Sequence, residues 1–144
     1  MTKTFKYILL SMRPKQWVKN LFVFGPLLFV KAFTDPEKIL LVCGAFVLFC
    51  LAGSAIYIVN DYLDRGRDQL HPTKKNRPIA AGKLSVPIAV AASAFLGCMA
   101  LWLSFELDYL FGLVLAGYVF LNLLYSLKLK DMIILDVFSI AIGF

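Results

Sequence analysis

Long uncharged apolar runs alternate with short polar segments along this chain. A helix needs about 20 mostly apolar residues to cross a bilayer. Three runs meet that length with 21, 20 and 19 residues: 39–59, 86–105 and 109–127. The pattern predicts an all-α membrane protein, a polytopic helical bundle in which these runs form clear transmembrane segments.

Two further apolar segments are less regular. Residues 21–30 contain Pro26, and they cross only if the stretch continues and Lys31 extends its charged end to the membrane surface. Residues 132–144 are apolar except for Asp136 and are too short to cross alone. With these two, the chain holds about five transmembrane segments.

Small residues are concentrated inside the predicted spans. Membrane helices use such residues for close backbone approach, so the pattern indicates a packed bundle rather than independent anchors. The residues are Ala52, Gly53, Ser54 and Ala55, then Ala89, Ala91, Ala92, Ser93 and Ala94, then Gly112, Ala116 and Gly117.

The composition excludes several classes of protein. The chain has 144 residues, 60% of them hydrophobic and 17% charged, with a mean hydropathy of +0.79, whereas soluble domains are about 45–50% apolar and about 25% charged. A disordered tail, a nucleic-acid-binding domain and an ordinary soluble enzyme are excluded. Cys43, Cys50 and Cys98 all lie in apolar runs without metal-ligand spacing, so buried, inert thiols are expected.

The basic residues give an orientation. Thirteen of the 15 lie in the segments before the first span, between the second and third, and after the fourth. The positive-inside rule then puts the N-terminus and the 60–85 loop in the cytoplasm of a multi-pass plasma-membrane protein. This alternation requires that the short first segment does cross.

An acidic cluster marks the cytoplasmic end of the second span. If the helix continues, Asp61, Asp64 and Asp68 lie at about 0°, 300° and 340° around its axis. Carboxylates about 6 Å apart repel by roughly 3 kcal/mol at an effective dielectric constant near 20. A divalent cation such as Mg²⁺ would offset this repulsion, and Asn60 would supply a further oxygen ligand. The alternative is a solvated helix end with an exposed Asp61–Arg65 ion pair.

A basic stretch follows the acids, broken into turns by Pro72, Pro78 and Gly82. Its cations are His71, Lys74, Lys75, Arg77 and Lys83. Acids for a metal beside bases for anions suit a diphosphate substrate, while contact with anionic lipid explains only the bases. Because a proline follows His71, a structural or phosphate-contacting role is favoured over a catalytic base.

Two further polar segments lie on the same predicted side. The stretch 13–20 is either interfacial, with Trp17 among the headgroups, or a source of anion ligands from Arg13, Lys15 and Lys19. The segment 125–131 lies on this side, where Tyr125 and Lys130 are within reach of a site formed by the acidic cluster. Asp136 is a functional candidate because ionisable residues inside spans are costly.

These residues carry a family resemblance. Asn60-Asp61-x-x-Asp64-x-x-x-Asp68, followed by His71-Pro72-x-Lys74-x-x-Arg77-Pro78-x-Ala80-x-Gly82, resembles the first aspartate-rich motif of the UbiA superfamily of intramembrane prenyltransferases. The stretch 13–20 (Arg-Pro-Lys-Gln-Trp-Val-Lys-Asn), with Tyr125-Ser126-x-x-Leu129-Lys130, Leu135-Asp136-Val137 and Gly143-Phe144, is similar to its decaprenyl-phosphate phosphoribosyltransferase branch.

The resemblance implies a bundle of about nine transmembrane helices around a cytoplasmic cavity. Residues 1–144 would form one UbiA-like domain truncated at its C-terminus, with an interfacial segment 1–20. By position, Asp61, Asp64 and Asp68 would be catalytic and hold Mg²⁺. The substrate-binding residues would be Lys15, Lys19, Asn60, Lys74, Arg77, Tyr125 and Lys130.

The expected reaction moves phosphoribosyl from phosphoribosyl diphosphate to a polyprenyl (decaprenyl) phosphate, for cell-envelope arabinan synthesis. The expected partners are these substrates and membrane lipid, and nucleic acid is not expected. Whether the protein forms a homo-oligomer is left open. One alternative is prenyl transfer from a polyprenyl diphosphate to an aromatic acceptor. The other is a non-enzymatic membrane binding protein or half of a transporter.

Overall fold

A computed structural model describes residues 2–29 and 34–127 of the chain, and all its regular elements there are helices. They are α1 (Thr2–Ser11), the 3₁₀ helix η1 (Pro14–Phe24), α2 (Gly25–Phe29), α3 (Pro36–Leu63), α4 (Arg65–Leu70), the short 3₁₀ helix η2 (Lys74–Asn76), α5 (Val86–Leu107) and α6 (Tyr109–Leu127). In this part of the chain, α3, α5 and α6 are long and apolar enough to cross a membrane. The predicted all-α membrane fold and its three clear spans are therefore confirmed, while residues 132–144 lie outside the described residues.

The long helix α3 starts at a well-formed cap. The Asp35 side chain accepts hydrogen bonds from the backbone N–H groups of Glu37 and Lys38, at 3.1 and 3.3 Å, and Pro36 occupies the first turn. The Lys38 side chain also contacts the Asp35 carboxylate, and this hydrogen bond is the main reason why the pKa of Asp35 is lowered. The cap fixes the end of α3 that lies farthest from the acidic cluster.

Small residues line the contact between α3 and α5, as the sequence predicts. Ala52 on α3 and Ala89 and Ala100 on α5 are fully buried. The Ser93 hydroxyl on α5 donates to the Ala55 carbonyl oxygen on α3 at 2.9 Å, which requires close approach of the two backbones. The bundle is therefore packed through small side chains.

One glycine stands where a side chain has no room. A Cβ on Gly112, near the start of α6, would lie 2.7 Å from Cγ of Phe105 at the end of α5. We expect Gly112→Ala to lower the free energy of unfolding by about 1–3 kcal/mol, because the Phe105 ring must shift. Thermal unfolding in detergent measures this. Gly117→Ala, on the same helix, meets no heavy atom of the described residues within 4 Å and should be neutral or stabilising; equal losses in both variants would contradict the packing argument.

The segment before α3 has few residues but covers a long distance. The 3₁₀ helix η1 rises about 2.0 Å per residue, so its 11 residues and the five of α2 extend over roughly 30 Å, the thickness of a bilayer core. The segment runs antiparallel along α3, where Phe22 meets Phe49 and Phe24 meets Phe46 with ring centroids 6.1 and 5.6 Å apart. Its start and the end of α3 therefore lie at the same end of the bundle.

The polar loop between α4 and α5 folds back into the bundle. Ile79 is fully buried and Leu84 is 2% exposed, and both pack in a cluster with Met12, Ile58 and Ala89 among others. Gly82 has a φ of 69°, a left-handed conformation that glycine adopts without steric cost. The turn and the two buried anchors fix the position of the loop's charged residues.

Candidate functional site

The acidic cluster does not lie on one continuous helix. Helix α3 ends at Leu63, Asp64 is at the break, and α4 begins at Arg65. The prediction that the helix runs straight through the acids is therefore wrong. The interruption is confined to Asp64, because its N–H still donates to the Asn60 carbonyl oxygen at 2.9 Å and the Asp68 N–H donates to the Asp64 carbonyl oxygen at 2.8 Å.

Four side chains from four separate segments meet at this end of the bundle, and we call them the ion cluster: Arg13, Asp61, Asp68 and Arg77. Arg13 Nη2 donates to Asp61 Oδ1. Arg77 Nη1 lies 3.2 Å from the same oxygen and 2.7 Å from Asp68 Oδ2. The ion cluster thus joins the N-terminal segment, α3, α4 and the returning loop.

The two carboxylates lie beneath the two guanidinium groups. The side chains of Asp61 and Asp68 are 2% and 3% exposed, whereas those of Arg13 and Arg77 are 27% and 26% exposed. Buried carboxylates are tolerated only when they are paired and hydrogen-bonded, because their desolvation is costly. The arginines therefore place a positive charge against each of the two buried acids.

Asp64 has a different partner from the other two acids. Its carboxylate lies 3.4 Å from Arg67 Nη2, one helical turn ahead, and its side chain is 30% exposed. The structure thus brings Asp61 and Asp68 to a shared arginine and pairs Asp64 with Arg67.

A polar stripe on α3 receives the N-terminal segment. Trp17 Nε1 donates to Ser54 Oγ at 3.0 Å, and Asn20 Nδ2 donates to Cys50 Sγ at 3.3 Å. Ser54 Oγ also lies 3.2 Å from the Met12 carbonyl oxygen. These contacts seat residues 12–20 directly on α3, and Trp17 is used as a hydrogen-bond donor within the protein.

Arg13 is held at the junction of α1 and η1. It has a φ of 53°, a conformation that costs a non-glycine residue about 1–3 kcal/mol and persists only where surrounding contacts enforce it. Its guanidinium carbon lies 4.9 Å from the centroid of the Tyr57 ring, one helical turn before Asp61. The ion pair with Asp61 and the stacking on Tyr57 are the contacts that enforce it.

The other predicted ligands are more dispersed. Lys15, Lys19 and Lys74 are exposed, and Tyr125 is half-buried near the end of α6, at the same end of the bundle as Asp61. Lys130 and Asp136 lie outside the described residues.

His71 has a defined structural role. Its Nδ1 accepts from the backbone N–H groups of Thr73 and Lys74, both at 3.3 Å, so it stabilises the turn before η2. From the sequence, a structural or a phosphate-contacting role is favoured, and these hydrogen bonds support the structural one.

The oxygen donors at the ion cluster suit a hard cation, although they are not arranged around one. Asp61 Oδ1 and Asp68 Oδ2 are at most 5.9 Å apart, since both contact the same nitrogen. Asn60 Oδ1 is buried, and no hydrogen-bond donor in the described part of the chain reaches it. Carboxylate and amide oxygens are Mg²⁺ ligands, but within residues 2–29 and 34–127 no group of three or more acidic, cysteine or histidine side chains forms a metal site.

Comparison with known proteins identifies the family of this chain. Residues 21–144 match the model of the UbiA prenyltransferase family. Over 138 residues the chain is 38% identical to decaprenyl-phosphate phosphoribosyltransferase of Mycolicibacterium smegmatis, a match that covers 93% of this chain and 43% of that protein. The enzyme of the same name from Corynebacterium glutamicum is 39% identical over 138 residues, covering 93% and 42%.

A relative with a different name is also similar. Nodulation protein NoeC of Azorhizobium caulinodans is 32% identical over 140 residues, which cover 90% of this chain and 42% of that protein. The chain therefore spans less than half the length of these relatives.

Proposed function

The chain belongs to the UbiA prenyltransferase family, and on this premise we propose that the whole protein transfers a 5-phosphoribosyl group from phosphoribosyl diphosphate to a polyprenyl (decaprenyl) phosphate. The observation that carries the proposal is the ion cluster, which sets two buried carboxylates beside two arginines at one end of the membrane bundle. A diphosphate donor needs both kinds of group. The similarity to decaprenyl-phosphate phosphoribosyltransferases supports this donor over others.

The reaction requires the protein mainly to bind and orient its two substrates. An oxygen of the acceptor phosphate attacks C1 of the ribosyl group, the bond from C1 to the diphosphate breaks, and diphosphate leaves with the bonding electrons. No strong general base is required, because the nucleophile is already an anion. Arg13 and Arg77 would neutralise the charge that develops on the leaving diphosphate, and the exposed Lys15, Lys19 and Lys74 would attract the two anionic substrates.

Asp61, Asp64 and Asp68, with the amide oxygen of Asn60, would hold Mg²⁺. When bound, the cation neutralises the diphosphate and makes it a better leaving group. Tyr125 and Lys130 would line the same cavity.

The site would face the cytoplasm of a plasma-membrane protein. The support is the basic residues at the ion-cluster end of the bundle, which the positive-inside rule assigns to the cytoplasm. The product, a polyprenyl phosphoribose, would serve cell-envelope arabinan synthesis. Residues 1–144 would form part of a single UbiA-type domain whose cavity is completed by further helices.

The substrates can be tested directly with the full-length protein in nanodiscs. We expect labelled phosphoribosyl diphosphate and polyprenyl phosphate to give a lipid-extractable labelled product with Mg²⁺ and none with EDTA. Turnover of a prenyl diphosphate with an aromatic acceptor, and none of the phosphoribosyl donor, would replace the proposal with prenyl transfer.

The same assay tests the role of His71. We expect His71→Asn to retain activity within about threefold, because the asparagine side-chain oxygen can also accept from backbone N–H groups in such a turn. A residue acting in general acid–base catalysis would instead cost about 10²–10⁴-fold. Arg65→Gln, an exposed change in the same polar segment, is the matched control. A loss above a hundredfold in His71→Asn alone would contradict the structural role.

A further inference from the structure

Resting on the proposed function, we propose that Arg13 is a displaceable counter-ion: its guanidinium neutralises Asp61 before substrate arrives and moves to the diphosphate when a cation–diphosphate complex takes its place. The cation would therefore enter with the diphosphate rather than before it. Three observations on the ion cluster lead to this inference.

The first is the charge balance. The two carboxylates and two guanidinium groups of the ion cluster sum to zero net charge. A divalent cation entering alone would place two uncompensated positive charges at buried carboxylates, which is costly in a poorly solvated site. A cation that brings a diphosphate carries negative charge for the arginines to bind.

The second is access. The carboxylates are almost fully buried while the arginines above them are about one quarter exposed. Both arginine contacts to Asp61 go to the same oxygen, Oδ1. A cation can use that oxygen only if at least one guanidinium leaves it.

The third is the number of partners that each arginine has. Arg77 Nη1 contacts both Asp61 and Asp68, whereas Arg13 Nη2 contacts, within the described part of the chain, the carboxylate of Asp61 alone. Departure of Arg13 from Asp61 therefore breaks one ion pair and leaves Arg77 in contact with both acids, while departure of Arg77 would break two. Of the two arginines, Arg13 is the one whose exchange disturbs the ion cluster least.

The experiment measures Mn²⁺ binding by electron paramagnetic resonance, with Mn²⁺ in place of Mg²⁺, on the full-length protein in nanodiscs. Titrations are run with and without inorganic diphosphate. We expect the wild-type protein to bind Mn²⁺ weakly alone and at least tenfold more tightly with diphosphate. In Arg13→Gln, binding of Mn²⁺ alone should tighten about tenfold and diphosphate affinity should fall, a coupling in the usual range between linked sites.

Arg65→Gln removes an equal charge from the surface of the same bundle end and should behave as wild type, which controls for a general electrostatic effect. Arg13→Lys keeps the charge with fewer donors and should fall between wild type and Arg13→Gln; it carries the test if Arg13→Gln does not fold. Equal Mn²⁺ affinity without diphosphate in wild type and the Arg13 variant would overturn the exchange while leaving the metal site standing. No Mn²⁺ binding to wild type even with diphosphate would overturn the metal site, and the exchange with it.

Discussion

Replacing Asp61 with asparagine should reduce the turnover of the full-length protein by about 10²–10³-fold, because it removes a charge that would hold the Mg²⁺ at the leaving diphosphate, and loss of one such electrostatic group usually costs that much. The Asp61 side chain is 2% exposed and accepts hydrogen bonds from both Arg13 and Arg77. No solvent-exposed group can therefore take over its role. Asparagine keeps the size and one oxygen but loses the charge. The measurement is the rate of Mg²⁺-dependent formation of labelled lipid product.

The matched control for this variant lies on the same helix. Asp35→Asn makes the identical chemical change 26 positions earlier, at the other end of α3, a distance of about 39 Å at 1.5 Å per residue. Asparagine is also a good N-cap, so this variant should keep near-normal turnover. Comparable losses in the two variants would indicate a general effect of Asp→Asn changes on the fold and would refute the specific role of Asp61.

The spans could be predicted because a bilayer imposes a simple length rule. The apolar runs 39–59, 86–105 and 109–127 lie within or coincide with α3, α5 and α6. The first segment was harder to predict, since 10 apolar residues with a proline are too few for a transmembrane α-helix. A 3₁₀ helix is longer per residue, and no periodicity in the sequence distinguishes it from an α-helix.

The residue types at the site could be predicted from the sequence, but their pairing could not. The types of residue at the end of α3 indicate anion and cation chemistry, and Asp61, Asp68 and Arg77 do meet. Which of the three acids pairs with which base depends on where the returning loop places Arg77. The burial of the loop anchors Ile79 and Leu84 becomes evident only in three dimensions.

The contact between Arg13 and Asp61 is the feature of the site that was hardest to predict from the sequence. Its neighbours Lys15 and Lys19 were equally good candidates by charge, but both are exposed while Arg13 reaches Asp61 across 48 positions in the sequence. The hydrogen bonds of Trp17 and Asn20 to the polar stripe on α3 fix this alignment. A polar stripe inside a span is a signal for such a contact, since unpaired polar groups are costly there.

Arg77→Met should be the most destabilising single change at the ion cluster. Arg77 Nη1 is the partner of Asp68 and shares Asp61 with Arg13, so methionine leaves a buried carboxylate uncompensated. Breaking a buried ion pair in this way costs about 3–5 kcal/mol. We expect a corresponding loss in the free energy of unfolding, measured by denaturant titration in detergent with EDTA so that no cation replaces the arginine.

Two further variants make this expectation specific. Arg67→Met removes an arginine that is 66% exposed and contacts Asp64, and exposed pairs are worth about 0–1 kcal/mol. The double variant Arg77→Met/Asp68→Asn removes the unpaired charge together with its partner and should recover a large part of the loss, a coupling that independent sites do not show. If the double variant were as unstable as the sum of its two single variants, the stability would come from the packing of Arg77 and not from the charge it places over the acids.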